Sequence, residues 1–261
     1  MSNNLKIAIV QTSLAWEDVA KNIANFTNRI NIFDERPDLV ILPEMFTTGF
    51  SMNAKELAEP ADGPTTQWMK EMASKHGFAI CGSIIAAEDC KYFNRFLFVT
   101  PNGTIYHYDK RHLFTFANEN KIYTKGKTRL VFEYLGWKIM PQICYDVRFP
   151  VWSRNQGDYD LLINVANFPA ARRDIWETLL KARAIENQCF VAAANRVGTD
   201  GQRIYYTGDS NIYNYLGQSK ASLIPGEDNM IMCTISKDEL ESFRRTFPVL
   251  LDADNFTLDM Q

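Results

Sequence analysis

Short apolar runs that alternate with stretches of helical spacing constrain the fold of this chain more than any other feature. Each run is apolar almost throughout, which is typical of strands buried on both faces of a parallel sheet. The stretch between the first two runs repeats its apolar residues three or four positions apart, as an amphipathic helix does. The alternation therefore predicts an α/β fold. The first strands are expected at 5–11, 38–44 and 78–85, and the helices between them at 18–34 and 65–76.

The rest of the chain continues this order of elements. A hairpin is expected where Pro101, Asn102 and Gly103 separate two apolar strands. A helix at about 171–188 and a last helix at 236–245 follow. No linker rich in Gly, Ser or Pro divides the chain, so we expect a single domain, 1–261, with a mixed sheet system covered by helices. The remaining strands are expected at 129–134, 137–143, 160–167, 189–197, 203–209, 211–217, 220–226 and 229–236.

The charge balance and the cysteines limit the partners and the compartment that we expect. The 261 residues carry a net charge of −3, which does not fit a nucleic-acid-binding surface. No apolar run approaches the ~20 residues of a membrane-spanning helix, and the N-terminus lacks the pattern of a signal peptide. Five cysteines without a C-x-x-C pair fit free thiols in a reducing compartment. We therefore expect a cytoplasmic protein with neither nucleic acid nor membrane as a partner.

Several common catalytic motifs are absent from the sequence. It has no glycine-rich phosphate loop, no dinucleotide-binding motif and no serine nucleophile elbow. The three histidines, His76, His107 and His112, lack the spacing of a zinc site, so no metal is expected. A cysteine–histidine catalytic pair would have to use His107 or His112, and the sequence singles out neither.

Polar side chains follow four of the expected strands at the point where each strand ends. They are Glu44, Lys110, Cys144 and Asn167. Carboxyl ends of strands are where α/β proteins place functional side chains. A carboxylate that takes the thiol proton, an ammonium that stabilises negative charge and a thiolate that attacks would form a catalytic set. Each residue also has a plainer interpretation, with Glu44 as a turn acid, Lys110 as a solvated strand end and Cys144 as a core thiol.

The position of Cys144 differs from that of the other four cysteines. Cys81, Cys189 and Cys233 lie inside apolar runs and are interpreted as small core residues, while Cys90 falls in an expected loop. A free thiol with a pKa of about 8.5 is mostly protonated at neutral pH, so a cysteine nucleophile needs activation. A nearby Lys110 ammonium would favour the thiolate of Cys144.

Several motifs resemble those of the nitrilase superfamily of carbon–nitrogen hydrolases. They occur in the order and spacing of that family and span about residues 5 to 225. The resemblance implies a four-layer α-β-β-α sandwich and a homodimer formed through the region after the cysteine and the ARAIENQ helix. The motifs are LVILPEMFTTGF with the glutamate, YDKRHLF with the lysine, QICYDVRFP with the cysteine, and ENKIYTKG, NVANFPAAR and WETLLKARAIENQ.

The resemblance also implies a role for each motif residue. Glu44 would be the general base, Lys110 the oxyanion stabiliser and Cys144 the nucleophile. Glu119 matches a second glutamate of the family that orients the lysine and positions the substrate. The backbone N–H of Tyr145 is implied as a further oxyanion donor. The chemistry needs water and a small amide but no metal and no organic cofactor.

Within the superfamily, EMFTTGFSM, CYDVRFPVWSRN and ANFPAAR are most similar to the omega-amidase branch. This resemblance implies hydrolysis of the terminal amide of 2-oxo acids such as 2-oxoglutaramate and 2-oxosuccinamate. Phe168 stands where tryptophan is more common in the branch, which affects the shape of the pocket. Two alternatives stay open: hydrolysis of another small amide, a carbamoyl amide or a nitrile, and a catalytically silent relative that binds a small molecule.

A 2-oxo acid would bring a carboxylate into the site, and a planar guanidinium suits a carboxylate better than an ammonium does. Arg148 and Arg172 lie just beyond the expected strand ends, and Arg173 is the neighbouring alternative. Each arginine could instead pair with an acid such as Asp146 or Asp174. The aromatic residues expected to enclose the aliphatic part of the substrate are Phe46, Phe116 and Phe168.

Overall fold

The computed structural model describes residues 3–258, and its element order is that of an α/β protein. The predicted domain of 1–261 includes residues 1–2 and 259–261, which lie outside the described residues, and the single domain stays a prediction. The helices and strands are β1 (Asn4–Gln11), α1 (Val19–Asn31), β2 (Leu39–Ile41), α2 (Ala54–Leu57), β3 (Glu59–Pro60), α3 (Pro64–His76), β4 (Ala79–Glu88), β5 (Lys91–Val99), β6 (Ile105–Asp109), α4 (Glu119–Ile122), β7 (Phe132–Tyr134), β8 (Trp137–Ile143), α5 (Pro150–Ser153), β9 (Leu161–Ala166), α6 (Arg173–Glu186), β10 (Phe190–Asn195), β11 (Val197–Thr199), β12 (Tyr205–Thr207), β13 (Asn211–Tyr213), β14 (Ser219–Ser222), β15 (Asn229–Ser236) and α7 (Lys237–Thr246). Short 3₁₀ helices occur at Thr115–Ala117, Cys144–Arg148, Ala170–Arg172 and Val249–Asp252.

Two large sheets form the centre of the molecule. The first has the strand order β15-β1-β2-β4-β5-β6, with the short β3 also paired to β4, and the second has the order β14-β13-β10-β9-β8-β7. In each sheet three central strands run parallel, namely β1, β2 and β4 in the first and β8, β9 and β10 in the second. Antiparallel strands flank them on both sides. The two halves of the chain therefore build similar sheets.

The alternation of side chains along β1 shows how the layers are assembled. Ile7 and Ile9 belong to a core cluster that includes residues of the second sheet, while Ala8 and Val10 belong to a cluster with residues of α1 and α3. Successive residues of a strand point to opposite faces, so one face of the first sheet meets the other sheet and one meets helices. Trp176 of α6 joins the core of the second sheet. The result is the four-layer α-β-β-α sandwich that the sequence resemblance implies.

The predicted helices are present, with small changes at their ends. Asp18 caps α1 by accepting the backbone N–H of Lys21 at 3.0 Å. Helix α3 begins at Pro64 and ends at His76, and the next residue, Gly77, closes the helix in a left-handed conformation with a φ of +71°. The helix expected at 171–188 starts as a 3₁₀ turn and becomes α-helical at Arg173 (α6).

The structure corrects several predictions for the second half. The strands expected at 211–217 and 220–226 are shortened to Asn211–Tyr213 and Ser219–Ser222. Of the strand expected at 203–209, only Tyr205–Thr207 is extended, and it pairs with β11 in a separate two-stranded sheet. Cys233 is half-buried rather than a core residue, because β15 lies at the edge of the first sheet. Cys81 and Cys189 are buried as expected, and Cys90 is exposed. Within residues 3–258, no helix is long and apolar enough to cross a membrane.

Candidate active site

The four polar residues that follow strands lie together around one cavity. Glu44 and Lys110 follow β2 and β6 of the first sheet, while Cys144 and Asn167 follow β8 and β9 of the second. All four line a cavity of about 60 Å³. One water needs roughly 10–15 Å³ of such space, so the cavity has room for a small molecule. The facing sheets thus each contribute two residues to the site.

Lys110 is held between two buried carboxylates. Its Nζ lies 2.8 Å from Oε1 of Glu44, and 3.0 Å and 3.1 Å from the two carboxylate oxygens of Glu119. The three side chains are at most 1% exposed. Glu119, the first residue of α4, also accepts the backbone N–H of Phe114. Glu119 does not line the cavity itself, and its contacts fix the position of the Lys110 ammonium.

The carboxylate of Glu44 is fixed by two asparagines. Asn94 of β5 donates its side-chain N–H to Oε1 at 2.8 Å, and the backbone N–H of Asn167 donates to Oε2 at 2.8 Å. The side chain of Asn167 also donates to the Glu44 carbonyl oxygen at 2.6 Å. These bonds join the ends of β2 and β9 and orient the carboxylate. Sequence reasoning missed Asn94, because an amide beside Arg95 in a strand that begins with Lys91 carries no local signal of a site.

Burial and pairing together set the charges of this cluster. Burial disfavours the ammonium form of Lys110, but the carboxylates of Glu119 and Glu44 outweigh it and raise the pKa of Lys110. Burial raises the pKa of Glu119 as well, against the lowering effect of Lys110. Lys110 is therefore a permanent cation at a fixed position, which is what stabilisation of a developing oxyanion requires.

Cys144 stands at a sharp turn between β8 and the 3₁₀ helix that it opens. Its φ is +45°, in the left-handed region that non-glycine residues rarely adopt. The strain is of the kind found at functional sites. Sγ lies 3.9 Å from the carbonyl oxygen of Asn167 and faces the cavity that Glu44 and Lys110 also line. The turn therefore presents the thiol to any molecule that enters.

The thiol of Cys144 is neutral in the free site, although the Lys110 ammonium favours the thiolate as expected. Burial is the main factor that raises the pKa of Cys144, and the negative charge of Glu44 raises it further. The Lys110 ammonium lowers this pKa but does not compensate for both. Nucleophilic attack therefore requires that a base take the thiol proton, and the Glu44 carboxylate is placed to do so.

Both predicted arginines line the cavity. The guanidinium carbon of Arg148 lies 5.8 Å from the centre of the Phe168 ring, and that of Arg172 lies 6.0 Å from it. Neither arginine forms an ion pair with an acid of residues 3–258. Arg173, the predicted alternative, is paired with Asp209 at 2.7 Å and does not line the cavity. Two guanidinium groups are thus available at the cavity wall for an anionic ligand.

The aromatic wall differs from the prediction at two of three positions. Phe168 lines the cavity as expected. Phe46 does not, because it is fully buried on the opposite face of the first sheet, against α1 and α3. Phe116 does not either, since its side chain is 85% exposed on a short 3₁₀ helix. Phe50 and Phe114 take their places in the wall, and the predictions for Phe46 and Phe116 are wrong.

The β11–β12 hairpin supplies a side of the cavity that sequence reasoning missed. The hydroxyl of Tyr206 donates to Oδ2 of Asp200 at 2.8 Å. Oδ1 of Asp200 accepts the backbone N–H groups of Gln202 and Ile204 and so shapes the turn. All four residues line the cavity, and Tyr145 and Pro169 contribute to it elsewhere. The sequence predicts a strand at 203–209 here and carries no signal of a site.

The histidines do not form a catalytic pair with Cys144. His112 contacts Asp146 through Nδ1 at 2.8 Å, and His107 lies in β6 beyond the cavity lining. Among the residues that the structure describes, no group of three or more His, Cys, Asp or Glu residues could hold a metal ion. The base available to the thiol is therefore a carboxylate.

Comparison with known proteins identifies the family. The family model described as carbon–nitrogen hydrolase matches residues 6–245. This chain belongs to the carbon–nitrogen hydrolase family. The match spans all three motifs that contain Glu44, Lys110 and Cys144, and the family hydrolyses carbon–nitrogen bonds.

Relatives of this family member are similar along nearly their whole length. It is 46% identical to "Omega-amidase YafV" of Yersinia enterocolitica, with 98% of this chain and 99% of that protein covered. It is 33% identical to "2-oxoglutaramate amidase" of Bacillus subtilis, with 94% and 96% covered. Among solved structures, a CN-hydrolase superfamily protein from Xanthomonas campestris matches with a TM-score of 0.95 and 46% identity over 98% of this chain and 99% of that one. Its arsenic adduct is described as lying in the active site.

Proposed function

We propose that this carbon–nitrogen hydrolase is an omega-amidase, which hydrolyses the terminal amide of 2-oxo dicarboxylic acid monoamides such as 2-oxoglutaramate and 2-oxosuccinamate. The observation that carries the proposal is that one small cavity is lined by both the reacting groups and two arginines. Cys144, Glu44 and Lys110 line it together with two arginines that have no acidic partner in the described chain. The names of the relatives from Yersinia enterocolitica and Bacillus subtilis support the same substrate class.

In the first half of the reaction, Cys144 forms a thioester. Glu44 takes the thiol proton while Sγ attacks the amide carbonyl, and the oxyanion accepts hydrogen bonds from the Lys110 ammonium and the Tyr145 backbone N–H. Glu44 then passes its proton to the amide nitrogen, the carbon–nitrogen bond breaks and ammonia leaves. Glu119 keeps the ammonium in place through its two short contacts.

In the second half, water completes hydrolysis. Glu44 removes a proton from a water molecule that attacks the thioester carbonyl, and Lys110 again stabilises the oxyanion. The carbon–sulfur bond breaks, the acid product leaves and the thiol of Cys144 regains its proton. The reaction uses only these side chains, the Tyr145 N–H, the amide and water.

The substrate's distant carboxylate would bind the arginine side of the cavity. Arg148 and Arg172 both line the cavity beside Phe168, so either guanidinium could bind this anion. Phe50, Phe114 and Phe168 would enclose the short aliphatic segment between the carboxylate and the amide. An uncharged amide would lack the arginine contacts and bind more weakly.

Ammonia release from a small panel of compounds tests this proposal. The panel contains 2-oxoglutaramate, 2-oxosuccinamate, an uncharged short amide, a carbamoyl amide and a nitrile. We expect the 2-oxo acid amides to have the highest kcat/KM. Preference for the nitrile, the carbamoyl amide or the uncharged amide would point to a different hydrolase, and no ammonia from any compound would support the silent relative.

Methionine substitution identifies the carboxylate site. Arg148→Met or Arg172→Met should raise KM for 2-oxoglutaramate by roughly tenfold or more, since a charged hydrogen bond contributes about 1.5–3 kcal/mol. KM for the uncharged amide should change little. Arg173→Met is the matched control, because its guanidinium pairs with Asp209 outside the cavity. Equal changes for both substrates would place the carboxylate elsewhere.

We also propose that the enzyme is a cytoplasmic homodimer. Residues of helix α5 and of the segment 249–258 line one surface groove together with Glu186 at the end of α6. Val151, Val249 and Leu251 expose apolar side chains in this region. The region follows the cysteine motif and includes the end of the ARAIENQ helix, where the family resemblance implies the dimer contact.

A further inference from the structure

Asp146, which no prediction assigned to the site, joins two segments that carry reactive groups. Its side chain is fully buried and accepts four hydrogen bonds. Oδ2 accepts the Tyr108 hydroxyl at 2.8 Å and the backbone N–H of Ile143 at 3.1 Å. Oδ1 accepts the backbone N–H of His112 at 2.9 Å and its ring Nδ1–H at 2.8 Å. One carboxylate thus binds both chain segments.

The residues that donate to Asp146 are close to Lys110 and Cys144 in the sequence, so these hydrogen bonds connect the two catalytic segments. Tyr108 and His112 lie two residues before and two residues after Lys110. Ile143 directly precedes Cys144, and Asp146 follows it by two residues within the same 3₁₀ turn. Through Asp146, the strained turn of Cys144 is therefore attached to the chain on both sides of Lys110.

We propose that Asp146 is a positioning residue that sets the spacing between the Lys110 ammonium and the Cys144–Tyr145 turn, and that the side chain of His112 completes this link. The inference extends the amide hydrolysis proposed above, because the spacing matters where an oxyanion must contact Lys110 and the Tyr145 N–H together. A shift of this geometry would lower the rate of carbonyl addition without removing any group that touches the substrate.

His112 is the part of the link that can be changed with least disturbance. Its side chain is 22% exposed, while that of Asp146 is fully buried. Its ring stacks on Phe149 at 3.7 Å with an interplanar angle of 8°. Phenylalanine at this position keeps an aromatic ring for the stack and removes the donor to Asp146. Asparagine keeps a donor at the position of Nδ1 and removes the ring.

The experiment compares His112→Phe with His112→Asn in the full-length protein, using a panel compound that the wild type hydrolyses. We expect His112→Phe to lower kcat about tenfold or more with KM nearly unchanged, as for a misplaced catalytic group. His112→Asn should recover most of kcat, because it restores the donor. A wild type inactive on the 2-oxo acid amides but active on another compound would refute the proposed substrate and leave this comparison intact.

Alkylation of Cys144 by iodoacetamide distinguishes a misplaced Lys110 ammonium from a general loss of thiol reactivity. This reaction displaces iodide and forms no oxyanion, so it depends on the thiol and its base but not on the contact of an oxyanion with Lys110. In His112→Phe, the alkylation rate should fall much less than kcat. A parallel fall of both rates, or equal loss of kcat in His112→Phe and His112→Asn, would overturn the proposal, as would wild-type kcat in His112→Phe.

Tyr108→Phe tests the same link from the other side if a His112 variant does not fold. It removes one donor to Oδ2 of Asp146 and keeps the aromatic ring in β6. The hydroxyl also accepts the Trp152 ring N–H and the Arg111 backbone N–H, both at 3.1 Å, so thermal unfolding is measured in parallel. A folded Tyr108→Phe should show the same selective loss of kcat over alkylation. Unchanged kcat in a folded Tyr108→Phe would overturn the inference.

Discussion

At the scale of the residue, the reactivity of Cys144 depends on its surroundings rather than on an ionised thiol. The left-handed φ of Cys144 costs about 1–2 kcal/mol for an L-residue, which the bonds around the turn must offset. Burial and Glu44 together keep its pKa above the ordinary value in spite of Lys110. The nucleophile is therefore generated only when Glu44 takes the thiol proton. Two predictions depend on the neutral state of the Cys144 thiol.

The first prediction concerns the selectivity and the pH dependence of Cys144 labelling. Limiting iodoacetamide should modify Cys144 before the other four cysteines, because this thiol lies beside a carboxylate base in an open cavity. Since its pKa is raised, its labelling rate should still increase above pH ~8.5, the usual thiol value. Peptide mass spectrometry measures both. Earlier labelling of the exposed Cys90, or a plateau of the Cys144 rate below pH 8, would argue against this charge state.

The second prediction separates the two effects of Glu44. Glu44→Gln keeps the size of the side chain but removes the base, so amide hydrolysis should fall about 10²-fold or more. The same change removes a negative charge that raises the pKa of Cys144, so its alkylation profile should move to lower pH. The measurements are kcat and the rate of alkylation against pH. An unshifted profile, or kcat within threefold of wild type, would remove Glu44 from the mechanism.

At the scale of the element, the end of β6 is held in place by the glycine of the ENKIYTKG motif. The backbone N–H of Gly126 donates to the Lys110 carbonyl oxygen at 2.9 Å. A Cβ at Gly126 would lie 2.0 Å from the carbonyl oxygen of Asp109, a backbone atom that cannot move freely. The glycine is therefore needed for close approach of the two segments, and this explains why the motif ends with it.

Replacement of this glycine should disturb stability and catalysis together. Gly126→Ala is expected to lower the free energy of unfolding by about 1–3 kcal/mol, as overpacking of a tight contact does. The displaced strand end should also move Lys110 and reduce kcat. Lys127→Ala, at the exposed neighbouring position, is the matched control and should affect neither. Urea denaturation and kcat measure the two effects, and a wild-type stability of Gly126→Ala would show that the segments can separate at low cost.

At the scale of the whole molecule, two similar sheets pack face to face and each presents its strand ends to the same cavity. The first sheet contributes Glu44 and Lys110, and the second contributes Cys144 and Asn167. Neither half of the chain has a complete site. The spacing of the reacting groups therefore depends on the packing of the sheets, which the hydrogen bonds of Asn167 to Glu44 reinforce.

The assembly of two such molecules gives the whole-molecule prediction. Light scattering should report about twice the 30.0 kDa mass of one chain. Val151→Lys places a charge on the exposed side chain of α5 and should shift the mass towards one chain, since unpaired charge at an apolar contact is costly. Lys70→Glu on α3, away from this region, is the control. A monomeric wild type, or a dimer unaffected by Val151→Lys, would contradict the proposed contact.

The sequence by itself determined the elements and the chemistry at their ends. Apolar runs and helical spacing are local properties, so the strands before Glu44, Lys110 and Cys144 could be predicted with the residues that follow them. The family motifs added the four-layer sandwich and the role proposed for Glu119. These inferences needed no knowledge of which residues meet across the core.

Only the tertiary structure decided how the site is built around those residues. Asn94 bonds Glu44 across 50 positions of sequence, and Asp146 bonds Tyr108 across 38. Burial also places Phe46 on the helix side of the first sheet and keeps the Cys144 thiol neutral. No local sequence pattern indicates either effect. Hydrogen bonding and desolvation act between atoms that are close in space, and the packing of two sheets is what brings these distant residues together.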